Sequence, residues 1–453
     1  MSDLDRSRLT RLIARERETF VTSNPNSATA FAAAQGSLFG GVPMTWMVKW
    51  SGGFPVYLDR ARGARISDID GHTYIDFALG DTGAMAGHSP EPTVMAVQDR
   101  IGVSGGITTM LPTADAEWVG SELQRRFGLP KWSFALTATD ANRWALRLAR
   151  LATGRPKVLA FSYCYHGSVD ETVVVSGAEG VTVPRPGNVG PQVDPSQTTR
   201  VAEFNDIASV ESALAHGDVA VVITEPALTN IGIVLPEPTF LEELRELCTR
   251  YGTLLLIDET HTFSAGPGGM TQLLGLQPDI LVIGKSIAGG IPIGAYGITQ
   301  AIADRVTSHP EADLVDVGGV GGTLAGNAVS MAAARATLGQ VLTDSAFDHM
   351  IGLATRFTSG VQQALDGADV PWTISQLGAR TEYRFARPAP RTGSESAAAG
   401  DDELDEYMHL YTLNRGILMT PFHNMALMCP ATTTADVDRH TEVFGEAIGE
   451  LFG

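Results

Sequence analysis

The chain predicts an α/β protein built on a mainly parallel β-sheet, and three observations carry that reading. Short apolar runs recur through its middle, "KVLAFS", "VAVVIT", "TLLLI" and "DILVIG". Amphipathic stretches at helical spacing stand among them. Polar residues gather just past the end of run after run. Apolar strands of this kind are buried on both faces, as in parallel sheets covered by helices.

In chain order, Leu9, Leu12, Ile13 and Phe20 predict an amphipathic helix at an N-terminus too charged for a signal peptide. "PVYLDRARGARISDIDGHTYIDFA" alternates apolar and polar residues around Asp70-Gly71, which predicts an antiparallel hairpin. From Trp132, "WSFAL" is a strand and "DANRWALRLARLA" a helix opened by Asp140. "KVLAFS" and "VAVVIT" are strands. "TFLEELRELCTRYG" is a helix, with Phe240, Leu241, Leu244, Leu247, Cys248 and Tyr251 on one stripe. "TLLLI", "DILVIG" and "IGAYGI" are further strands. "RPAPRTGSESAAAGDDELDE" reads as a surface loop, and "YMHLYTLNRGILMTP" with "TADVDRHTEVFGEAIGELFG" as a final α+β unit. The expected division is 1–75 (helix and small hairpin, part of a small domain), 76–338 (large domain) and 339–453 (C-terminal α+β small domain).

Composition excludes several function classes. A formal net charge of −19, with 32 Lys+Arg against 51 Asp+Glu, disfavours nucleic acid, whose phosphates need clustered cations. The three cysteines form no CxxC pair, so neither a disulfide framework nor a zinc site is expected. No apolar run reaches the roughly 18 residues of a membrane span. A cytoplasmic protein with no membrane partner is the expectation.

The polar strand ends hold the chemistry. Thr137-Ala138-Thr139 follow "WSFAL", Tyr165-His166-Gly167 follow "KVLAFSYC", Glu225 follows "VAVVIT", Asp258-Glu259 follow "TLLLI", and Lys285 follows "DILVIG". Ligands of open parallel sheets bind outside the carboxyl ends of the strands. Lys285 is one of only four lysines, set in an apolar, glycine-rich run. Such surroundings disfavour an ammonium and leave an amine able to attack a carbonyl. Asp258 can hold a proton on a ring nitrogen. The helix start at Thr137–Thr139 and the glycine-rich stretch around Thr323 can bind phosphate. Aldehyde, aromatic nitrogen and phosphate are the three handles of pyridoxal 5′-phosphate (PLP). Gly284-Lys285-Ser286 also imitates the end of a Walker A loop, but Asp279 stands where its first glycine belongs. His261 has no HExxH context or second histidine nearby, so no metal is expected and a pocket or supporting histidine is the reading.

Taken together, these blocks resemble the class III aminotransferases of PLP fold type I. "LLLIDETHTF" followed by "LVIGKSIAGGIPIGAYG" carries the resemblance, with Asp258 preceding Lys285 by 27 residues. "YHG", "GTLAGN", "DIDGHTYIDF" and "EPALTNIG" match further blocks. The branch it looks like holds glutamate-1-semialdehyde aminomutase and the β-amino acid and amine transaminases. The resemblance implies a large domain with a mainly parallel seven-stranded sheet flanked by helices, plus a smaller α+β domain from both chain ends. It implies that Lys285 forms the Schiff base with PLP and shuttles a proton, and that Asp258 pairs with the pyridine nitrogen. Tyr165 stacks on the ring with His166 in support, Thr137, Ala138 and Thr139 cradle the phosphate, and Glu225 and Asn230 lie beside the phenolic oxygen. Thr323 is supplied across the interface of a homodimer. The expected activity is a ping-pong aminotransferase acting on small-molecule amines and carbonyls, with a semialdehyde-type 2,1-aminomutase as the alternative.

Two departures from the family pattern matter. The phosphate segment reads "LTATDA", with Ala138 in place of a glycine, which requires φ < 0 there. "DETHTFSA" lacks the family's arginine near the substrate entrance. Candidate pocket residues are Trp46, Trp50, His261 and Arg384, with Arg380 and Arg384 read slightly in favour of surface strand arginines.

Overall fold

The computed structural model describes residues 4–314 and 318–453. The chain forms two compact units, one of Met1–Ser89, Asp348–Ala389 and Ala399–Gly453, the other of Pro90–Phe347 and Pro390–Ala398.

The smaller unit opens with the helix Arg6–Ser23, capped by Asp5 and burying Leu9, Ile13 and Phe20 on one face. Strands β1 (Leu58–Arg62), β2 (Arg65–Asp68) and β3 (Thr73–Asp76) pair antiparallel in sequence order. The β2–β3 turn is held by Asp68, whose carboxylate accepts from the Asp70 and His72 N–H groups and the Tyr74 hydroxyl. The chain beyond β3 stays in this unit as far as Ser89, because the Phe77 N–H bonds to Leu418 and His88 pairs with Gly63.

The larger unit holds β4 (Lys131–Ala135), β5 (Lys157–Phe161), a hairpin of β6 (Val174–Ser176) and β7 (Thr182–Pro184), β8 (Thr199–Ala202), β9 (Val219–Thr224), β10 (Leu254–Asp258), β11 (Ile280–Gly284) and β12 (Gly294–Ile298). Seven of these form one sheet in the order β4-β12-β11-β10-β9-β5-β8. Its pairs are parallel except that β12 runs antiparallel to both β11 and β4. Every residue of β9, β10, β11 and β12 is buried, which accounts for their largely apolar composition up to the polar Thr224 and Asp258 at the ends of β9 and β10. The helix Ala138–Thr153 starts two residues ahead of the predicted Asp140. Thr137 has extended backbone, and its side chain accepts from the Asp140 N–H as the cap.

The chain then returns to the smaller unit with β13 (Thr373–Leu377), β14 (Arg380–Arg384), β15 (Ile417–Leu418) and β16 (Met425–Leu427). β14 lies between β13 and β16, and β15 joins β3 in parallel. The predicted surface loop over 387–406 instead contains the helix Gly393–Ala398 and the start of the helix Asp402–Leu413. Asp401 caps the second, and its first turn carries Asp402, Glu403 and Asp405. The acidic run is therefore a helix start whose charges complement the dipole. Among the described residues no helix is long and apolar enough to cross a membrane.

Candidate active site

Strand register brings the key groups together. Asp258 of β10 pairs with Val282 of β11, so the segments that carry His261 and Lys285 follow the ends of adjacent parallel strands. They meet there, with Lys285 Nζ 2.8 Å from His261 Nε2. Lys285 starts a single 3-10 turn at φ +51°, a backbone state that costs a residue bearing a Cβ about 1–2 kcal/mol. The surrounding all-buried strands supply the rigidity that holds it.

Asp258 ends β10 fully buried. Its Oδ2 accepts from His166 Nδ1 and from Asn142 Nδ2, each at 2.9 Å, and its Oδ1 from the Thr260 N–H at 3.0 Å. The same Asn142 amide donates to the His166 carbonyl at 3.1 Å, tying the end of β10 to the turn after β5. Burial alone would push the Asp258 carboxyl up. The hydrogen bond and charge of His166, with the hydrogen bonds of Thr260 and Asn142, hold it down at about 2. Burial works against the His166 imidazolium too, but Cys164 and Asp258 outweigh it and raise that group well above 6.5. The result is a buried, ionised carboxylate fixed in orientation by three donors.

The start of the helix Ala138–Thr153 lies against these groups. The N–H groups of Ala138 and Thr139 precede the helix's own hydrogen bonds and are therefore free for an anion. Ala138 has right-handed helical backbone, so it meets the condition set by the missing glycine. Two real glycines permit the close packing. A Cβ on Gly294 would stand 2.2 Å from the Thr137 carbonyl oxygen, and one on Gly167 would stand 1.9 Å from Thr139 Oγ1. The start of β12 and the Tyr165–Gly167 turn thus both rest on the phosphate-type segment.

The other predicted residues are distributed as follows. Tyr165 is 42% exposed. Glu225 is buried just past β9 and accepts from the Thr229 hydroxyl, while Asn230 is half-buried and bridges to Gly232. Thr323 is exposed, lines a cleft with Asp140, Arg143 and Trp144, and hydrogen-bonds to none of the groups above. Trp46, Trp50 and Arg384 belong to the smaller unit. There Trp46 meets Phe422 edge-on at 5.6 Å and Trp50 packs on the cluster of Phe20, Tyr74 and Leu410. Arg384 is half-buried at the end of β14. Arg380 is no surface arginine. It is fully buried in the central strand β14, donates to Thr82 Oγ1 at 3.3 Å and lies 4.0 Å from Asp81. Among the described residues no cluster of three or more His, Cys, Asp or Glu could hold a metal ion.

Sequence reasoning missed Asn142 and Thr260. Asn142 had a signal, as a polar amide among Ala141, Ala145, Leu148 and Ala149 on the buried face of its helix. Thr260 acts through its backbone N–H, which leaves no trace in residue type.

These groups fit PLP as a donor set. A buried ionised carboxylate suits a protonated ring nitrogen, a helix N-terminus suits a phosphate, and a lysine amine suits an aldehyde. Comparison with known proteins agrees. The family model for Aminotransferase class-III matches residues 47–448. The chain is 33% identical to glutamate-1-semialdehyde 2,1-aminomutase of Chloroflexus aggregans, over 94% of this chain and 98% of that protein. It is 47% identical to a glutamate-1-semialdehyde-aminomutase of known structure from Pseudomonas aeruginosa PAO1, covering 99% of both chains with a TM-score of 0.96. An omega-transaminase from Sphaerobacter thermophilus is 28% identical, with a TM-score of 0.85 over 94% of this chain and 98% of that one.

These findings correct the expected activity. The two-substrate aminotransferase is overturned by relatives that are aminomutases, both in sequence and in the 47%-identical structure. The sequence motifs misled because both activities share the lysine, the aspartate and the phosphate segment. The architecture is PLP fold type I, and the cofactor is pyridoxal phosphate. The chain is an enzyme of the class-III aminotransferase family.

Proposed function

We propose that the protein is a glutamate-1-semialdehyde 2,1-aminomutase. It would move the amino group of one substrate molecule from C2 to C1 and leave the oxo group at C2, giving 5-amino-4-oxopentanoate. The near-complete match to the Pseudomonas aminomutase carries this reading, since both chains are covered at 99% with 47% identity.

PLP, when bound, supplies an electron sink and a temporary carrier for the amino group. Lys285 holds the cofactor's aldehyde carbon and moves a proton on and off the substrate carbons. Asp258 stays ionised against the protonated ring nitrogen, held in line by His166 and Asn142. The Ala138 and Thr139 N–H groups, with Thr137, take the phosphate. Tyr165 covers one face of the ring, and Glu225 with Asn230 sets the environment of the phenolic oxygen. A cytoplasmic homodimer in which Thr323 reaches the partner's phosphate completes the reading.

The test is a single-substrate assay. Purified holoenzyme is given glutamate-1-semialdehyde with no amine donor and no carbonyl acceptor, and products are followed by NMR. Sustained formation of 5-amino-4-oxopentanoate is the expected result. Turnover that stops after one equivalent and resumes only with an added keto acid would sink the proposal.

A further inference from the structure

His261 stands three residues past Asp258 on the chain leaving β10, 5% exposed, and its Nε2 is 2.8 Å from Lys285 Nζ. The acids beside it in sequence are committed elsewhere. Asp258 serves His166, Asn142 and Thr260. Glu259 is fully buried and accepts from Thr262 Oγ1 at 2.5 Å, Thr271 Oγ1 at 2.5 Å, the Thr271 N–H at 2.6 Å and the Met270 N–H at 3.3 Å. Those bonds fold the segment after His261 into the 3-10 turn Thr262–Ala265 and anchor it, which holds the imidazole on the side of β11. Lys285 approaches from its left-handed backbone position at the start of a 3-10 turn, so both partners of the contact are aimed by turns that follow the ends of adjacent strands.

We propose that His261 is the positioning and proton-accepting partner of Lys285. An amine that must attack a carbonyl, and later move protons at substrate carbons, has to pass through its neutral form. At 2.8 Å a proton leaves Nζ for Nε2, giving a neutral amine and an imidazolium, and returns by the same path. No bond other than N–H is made or broken. Of the acids nearest His261 in the chain, Asp258 is held by His166, Asn142 and Thr260, and Glu259, whose carboxyl burial pushes up, by the bonds given above. This role rests on Lys285 carrying the cofactor, as in the proposed function.

Two variants separate the parts of the role. In His261→Gln the amide oxygen can still accept from the amine but takes no proton, whereas His261→Ala does neither. Holoenzymes are compared by the pH dependence of their visible absorbance, by solvent-deuterium exchange into the substrate, and by kcat and KM. For both variants the absorbance transition is expected to move by about one pH unit or more. Exchange and kcat should fall by about 10²-fold with KM little changed, and added imidazole should restore part of the exchange in His261→Ala. Borohydride labelling is run on every sample. A label absent from Lys285 would refute the cofactor reading itself. A label on Lys285, with absorbance titration and exchange unchanged in both variants, would overturn the role of His261 alone. Slow exchange in His261→Ala that imidazole does not restore would also overturn it.

Discussion

His166 and His440 are both fully buried histidines, yet they carry opposite electrostatics. His440, on the helix Thr434–Phe452 of the smaller unit, stacks on Phe357 at 4.0 Å and meets Phe77 edge-on at 5.8 Å. Neither of its ring nitrogens has a hydrogen-bond partner, and burial pushes the group down from 6.5 to about 3. His166, in the larger unit, faces Asp258 at 2.9 Å and is raised well above 6.5. Burial drives both rings toward neutrality, and Cys164 together with the Asp258 carboxylate, aimed from a neighbouring strand end, reverses the sign at one of them. What distinguishes the active site from the core is thus a partner fixed by the sheet, not burial itself.

The substitution expected to do most damage to this contrast is Asp258→Asn. Without its carboxylate, the His166 imidazolium keeps only Cys164 in its support and should titrate lower, in the direction of His440, as ¹⁵N NMR of the imidazole would show. Activity should fall by about 10²–10³-fold, and removing one member of the buried pair should cost about 3–5 kcal/mol of stability in denaturant titration. Asn142→Ala comes next. It removes one donor to the ionised Asp258 and the tie to His166, and should cost about 1.5–3 kcal/mol by the same measurement.

His440→Phe sharpens the comparison from the other side. His440 is neutral in the folded chain, while the unfolded chain takes up its proton below pH 6.5. Its share of stability is intact above 6.5 and is lost as pH falls toward about 3, at roughly 1.4 kcal/mol per pH unit. His440→Phe should therefore gain about 2 kcal/mol at pH 5 and nothing from this source at pH 8. The Asp258–His166 pair has different windows. Asp258, lowered from 3.8 to about 2, adds stability that is present above 3.8 and lost as pH falls through about 2. His166 adds stability that is complete below 6.5 and lost as pH rises through its raised value.

Much of this was legible in the sequence, for identifiable physical reasons. Strands buried on both faces show as apolar runs, and chemistry at their carboxyl ends shows as polar residues directly after them. Lys285 and Asp258 stood out on that basis. What did not show is contact across strands. The meeting of His261 with Lys285 depends on the register of β10 against β11, and the burial of Arg380 on β14 lying between two neighbours. The helix start at Thr137 was misplaced because Asp140 is an equally good cap by residue type, and only backbone conformation decides between them. The choice between aminomutase and aminotransferase lay beyond the motifs, which serve the cofactor common to both.

The central claim is that Lys285 is the residue that bears the cofactor. Holoenzyme should be reduced with borohydride, digested and mapped by mass spectrometry. The account predicts a pyridoxyl label on the peptide containing Lys285 and none on those containing Lys49, Lys131 or Lys157. A label on any of those three, or a Lys285→Ala variant that keeps the visible absorbance of the bound cofactor, would contradict it.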